Sequence, residues 1–99
     1  MSEVALSRFE AISARLGRDD VSREVLRELC ERHQPGQAVR VSRAVLGRDL
    51  GHPAHYVALA LFRLAALQVI REVPVVGVPY QISDYSLNFL EEADACPSC

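Results

Sequence analysis

Between Ser42 and Gln68 the chain is punctuated once, at Leu50-Gly51-His52-Pro53, and that break constrains the fold more than any other feature. Gly51 ends a short helical run, Arg43 to Leu50, because glycine reaches the left-handed backbone that closes a helix without a side-chain clash. Pro53 suits the first turn of the next helix, where its missing N–H costs nothing. The pattern therefore predicts a short helix, a tight turn and a longer helix from Pro53 to about Gln68. Ser42 offers a side-chain oxygen to cap the short helix. Gly47 lies between the inward-facing Leu46 and Leu50, where the lack of a side chain lets another helix come close. Val69 to Val73 and Val78 to Ile82 follow. They are β-branched and aromatic runs joined by Pro74-Val75-Val76-Gly77, and they read as a β-hairpin.

Ahead of this unit, Val4, Ala5, Phe9, Ile12 and Leu16 recur at three- and four-residue steps and predict a helix from about Ser2 to Leu16, closed by Gly17. Asp19-Asp20 can cap a second helix over about 20–34, with Val21, Val25, Leu26, Leu29 and Cys30 as its apolar face and Pro35-Gly36 as its stop. Gln37 to Val41 is a short β-capable piece. After the hairpin, Asp84 can cap a last helix that packs through Leu87, Phe89 and Leu90. The expected layout is one domain over 1–99: an N-terminal helix (1–17), a core (20–83), a C-terminal helix (84–95) and a tail (96–99). The fold class is mainly α with a small β-hairpin.

Composition limits the function classes. Ninety-nine residues leave room for one core. A chain that is 49% hydrophobic and 24% charged is of the folded kind. Five Gly, five Pro and three Cys exclude collagen-like and disulfide-scaffold chains, and a net charge of -2 excludes a uniformly basic nucleic-acid coat. The most apolar stretch, Val57 to Phe62, stops at Arg63, far short of the ~20 residues of a membrane helix. Met1-Ser2-Glu3 lacks the basic start of a signal peptide. With an odd cysteine count, these features lead us to expect a cytoplasmic protein that does not engage membranes. No phosphate-binding Gly loop, nucleophile elbow or His-Glu-x-x-His is present, and Glu91-Glu92 diverge around a helix axis, so no enzyme activity is expected.

A short helix, a Gly-containing turn, a longer helix and a hairpin make the chain resemble the winged helix-turn-helix regulators. The likeness is carried by Val41-Ser42-Arg43-Ala44-Val45-Leu46-Gly47-Arg48-Asp49-Leu50-Gly51, then Val57, Ala60-Leu61, Leu64, Leu67 and Val69-Ile70. Gly77-Val78-Pro79-Tyr80-Gln81-Ile82-Ser83 resembles the second wing strand. With a helix before and after, the layout is similar to that of the ArsR/SmtB repressors over roughly residues 20–93. The resemblance implies a DNA-binding transcriptional regulator acting as a homodimer on double-stranded DNA. Its recognition helix would be Pro53–Gln68, with His52, His55 and Tyr56 nearest the base edges and Arg40, Arg43 and Arg48 on phosphates. The cysteine-containing recognition-helix motif of metal-sensing relatives is absent.

Charge and apolarity pull in different directions. Residues 37–68 carry a net charge of +3, against -1 for residues 1–36 and -4 for residues 69–99, so positive charge collects where phosphate would be met. Yet the candidate recognition helix is apolar almost all round. Val57, Ala60, Leu61, Leu64 and Leu67 complete a core face, while Tyr56, Leu59, Phe62 and Ala66 form a second stripe where base-reading side chains would be expected. Either the N-terminal helix or a second subunit covers that stripe, or the fold serves as a protein-interaction module using Tyr56, Leu59, Phe62 and Arg63. Apolar surface left over on the two outer helices predicts a two-fold homodimer.

Cys96-Pro97-Ser98-Cys99 has the spacing of half a zinc site, and His52 and His55 are the histidines best placed to complete it. The competing reading makes the histidines helix-capping or DNA-facing groups and the cysteines part of a frayed tail, so no cofactor is assigned. Cys30, on an apolar helix face, reads as a small core residue.

Overall fold

A computed structural model describes residues 3–34, 36–73, 77 and 82–87. Among the described residues four helices, α1 (Glu3–Leu16), α2 (Asp20–Arg32), α3 (Arg43–Leu50) and α4 (Ala54–Ala66), combine with three short strands, β1 (Val39–Ser42), β2 (Ile70–Val73) and β3 (Ile82–Leu87). The strands form one antiparallel sheet in the order β1-β3-β2. No helix among the described residues is long and apolar enough to cross a membrane.

The helix ends follow the local chemistry. Asp19 caps α2 by accepting from the Ser22 backbone N–H at 3.0 Å and from its hydroxyl at 2.6 Å. Ser42 caps α3 by accepting from the Val45 N–H at 3.4 Å, and Gly51 closes that helix at φ +77°. The His52 N–H then donates to the Gly47 carbonyl at 2.8 Å, so the turn into α4 folds tightly back on α3. α4 stops at Ala66, two residues short of expectation, because Gln68 takes a left-handed backbone (φ 61°) while the Val69 N–H donates back to the Leu64 carbonyl at 3.1 Å. Left-handed backbone is unfavourable for a residue with a Cβ. Gln68→Gly is therefore expected to stabilise the chain by about 1 kcal/mol, read as a higher thermal midpoint.

The core gathers Val25, Leu26 and Leu29 of α2, Leu46 of α3, Val57, Leu61 and Leu64 of α4, and Val41, Ile70 and Leu87 of the sheet, each at most 2% exposed. α4 is central, lying against both α2 and α3. α1 docks on α2 through its C-terminal half, where Ile12 and Leu16 are buried, while Leu6 stays exposed.

Two expectations change. The second hairpin strand runs further than the Val78–Ile82 run suggests: β3 covers Ile82–Leu87, of which only Ile82 belongs to that run. Residues 84–87, read from sequence as the start of the C-terminal helix, are thus strand. Asp84 does not cap a helix. It lies opposite Arg40 in the β1–β3 register and takes the guanidinium on both carboxylate oxygens, at 2.9 and 3.3 Å. Ser83, Tyr85 and Leu87 are buried at every second position, the period of a strand, and β1 pairs with this strand as the third member of the sheet. Residues 78–81 of the expected second hairpin strand, the remainder of the 84–95 helix, the hairpin tip around Pro74–Val76 and the 96–99 tail lie outside the described residues.

Candidate functional site

α4 has two faces with different fates. Val57, Ala60, Leu61 and Leu64 are buried, whereas Tyr56, Leu59 and Phe62 are 48%, 64% and 75% exposed. Those values decide one question left open by the sequence, since α1 does not cover the second stripe. Exposed apolar side chains at i, i+3 and i+6 make a continuous ridge, flanked by His55, Arg63 and Ala66, which are also exposed.

Beside the ridge lies a shallow hollow of about 270 Å³, lined by Tyr56, Leu59, Ala60 and Arg63 of α4 and by Asp19, Val21 and Ser22 at the start of α2. The Arg63 guanidinium donates to the Asp19 carboxylate, joining the two walls. Burial alone would push the Asp19 carboxyl up, but the hydrogen bonds from the Ser22 hydroxyl and backbone N–H and the contact with Arg63 outweigh it and hold the group below its ordinary range. A carboxyl depressed in the folded chain adds stability that is fully present above its unfolded pKa and is lost as pH falls through the folded one. Asp19→Asn is therefore expected to destabilise the chain at neutral pH and to match the wild type once the pH lies below the folded pKa of Asp19. Chemical denaturation at a series of pH values measures the gap, and a gap that persists at the acid end would contradict this account.

The residues predicted to meet DNA are spread over several elements, and acids engage many of them. Arg40 is held by Asp84 at the sheet, which also makes its guanidinium harder to deprotonate. Arg48, in the last turn of α3, is well exposed and 3.9 Å from Asp49, while Arg32 also reaches Asp49, at 3.7 Å. Arg43 opens α3 half-buried, its Nε enclosed and without a hydrogen-bond partner. His52, in the α3–α4 turn, meets the Glu24 carboxylate of α2. The His55 ring stands edge-on to Tyr56, with centroids 4.4 Å apart and planes at 65°. His52, His55 and Tyr56 thus sit together at the entry to α4, while the arginines belong to β1 and to the two ends of α3.

Asp19, Val21 and Ser22 were legible in the sequence only as a cap and a helix start. Their place beside the α4 ridge depends on the packing of α2 against α4, and the Arg63–Asp19 pair joins positions 44 residues apart. No group of three or more His, Cys, Asp and Glu side chains arranged for a metal occurs among the described residues. The candidate zinc ligands Cys96 and Cys99 lie outside them. Cys30 is buried on α2, and burial, with the Glu31 charge adding to it, pushes its thiol up to about 12, so it stays a protonated core side chain.

Comparison with protein-family models, with curated proteins and with solved structures finds no match to this chain.

Proposed function

We propose that this chain is a winged-helix domain whose α4 binds protein rather than a DNA groove, acting as a non-catalytic interaction module. The order helix, strand, helix, tight turn, helix and two strands, with β1 paired to β3 and β3 to β2, supports the winged-helix reading. The observation that carries the function is the exposed ridge of Tyr56, Leu59 and Phe62. On a DNA-reading domain, that face of the helix after the turn would carry donors and acceptors for base edges. Here Arg63, the one cation of α4, is engaged by Asp19 instead. An apolar ridge over a hollow, rimmed by polar groups, is the composition of a protein contact.

The DNA reading makes the opposite prediction for a simple titration. Fluorescence anisotropy of the reduced protein against its own upstream duplex and a scrambled one, at low and moderate salt, is expected to show no preference between them. It should also show no steep salt dependence. Tight binding to the upstream duplex that weakens steeply with salt and disappears in the Arg43→Ala/Arg48→Ala double variant would overturn the proposal in favour of a repressor.

A further inference from the structure

We infer that the occupant of the α4 face is a second copy of this chain, with Phe62 of each copy seated against the hollow of the other; this inference rests on the protein-binding reading above. Successive residues turn by ~100° around a helix. Phe62 therefore lies on one flank of Leu59, and Tyr56, Ala60 and Arg63, which line the hollow, lie on the other. A two-fold axis running along α4 beside Leu59 exchanges the two flanks, so that projecting ring and hollow meet twice and Leu59 faces its own equivalent.

Area is sufficient for this occupant. Three side chains this exposed offer on the order of 300 Å² of apolar surface. Two such patches make about 600 Å², and at the ordinary apolar fraction of an interface they imply about 1,000 Å² in all, the size a specific contact has to reach. A second copy supplies the matching apolar half, so the pair reaches that size. The rim is compatible with self-contact as well. Asp19 is engaged by Arg63 and Asp20 by Arg23 within one chain, so bringing two rims together does not set unpaired like charges against each other.

A contact at this lower bound is expected to be reversible, with a dissociation constant in the micromolar range. Sedimentation equilibrium of the full chain, with reductant present and protein from about 1 to 500 μM, is expected to show a monomer–dimer equilibrium. Leu59→Asp should leave only monomer, because two carboxylates would face each other across the axis. Phe62→Asp should weaken association at least tenfold. Leu6→Asp, on the exposed face of α1, should leave association unchanged. All three side chains are exposed, and an unchanged far-UV circular dichroism spectrum checks that each variant is folded. Monomer throughout the range overturns the inference, as does a dimer that survives Leu59→Asp and Phe62→Asp or one that Leu6→Asp dissociates. Each of those results leaves the protein-binding reading standing, whereas specific duplex binding in the anisotropy titration removes that reading itself.

Discussion

Leu64→Ala is expected to destabilise the chain by about 2–5 kcal/mol, while Leu59→Ala, five residues earlier on the same helix, should change the stability of dilute protein by less than about 0.5 kcal/mol. Leu64 is fully buried in the core of α4, and Leu59 is 64% exposed. Removing the Leu64 side chain forfeits its transfer from water and leaves a cavity in the buried cluster that α4 shares with α2 and α3, whose tightly packed side chains can close it only in part. A domain of this size has a total stability of about 5–15 kcal/mol, so the loss takes a large share of it and lowers the thermal midpoint by roughly 10 °C or more. Thermal unfolding followed by circular dichroism measures both variants. Equal effects at the two positions would mean that α4 does not present one buried and one open face, and the proposed interaction surface would go with it.

Gly47→Ala is the second large effect, and its sign runs against helix propensity. Alanine is about 1 kcal/mol better than glycine inside a helix. At this position, however, a Cβ would stand 2.6 Å from the His52 carbonyl oxygen and 3.4 Å from the Ala54 Cα and N. The near neighbour is backbone, so no side chain can swing aside. Relief requires α3 and the start of α4 to separate, which pulls on the His52 N–H to Gly47 carbonyl bond that closes the turn. We expect a net loss of about 1–3 kcal/mol, the range for overpacking a tight site, and a larger loss for Gly47→Val. A neutral or stabilised Gly47→Ala protein in denaturant titration would show that α3 and α4 do not meet this closely.

Much of the helical part was legible because its signals are local. The caps at Asp19 and Ser42, the stop at Gly51 and the apolar periods of α2 and α4 each act within one or two turns of chain, and the structure realises them near the expected positions. The strands were less legible. Asp84 ahead of an apolar run carries the local signature of a helix cap, and only the strand paired alongside it, with Arg40 opposite, turns that signature into a cross-strand ion pair. The candidate site was legible by half. The ridge of Tyr56, Leu59 and Phe62 follows from helical spacing, but the wall of the hollow comes from the start of α2.

By itself, then, the sequence determined where α2 and α3 are capped and stopped, which stripe of α4 would enter the core and that a second apolar stripe would be left over. Spacing and backbone conformational preference settle such matters over a few residues. Only the tertiary structure decided that α1 leaves the second stripe open, that residues 84–87 extend a three-stranded sheet, and that the positive charge of residues 37–68 is partly met by acids from elsewhere. Asp84 reaches Arg40 and Asp19 reaches Arg63, each across 44 positions of chain. Charge counted along a segment cannot anticipate such partners, because Coulomb energy depends on distance in space, and packing alone sets that distance.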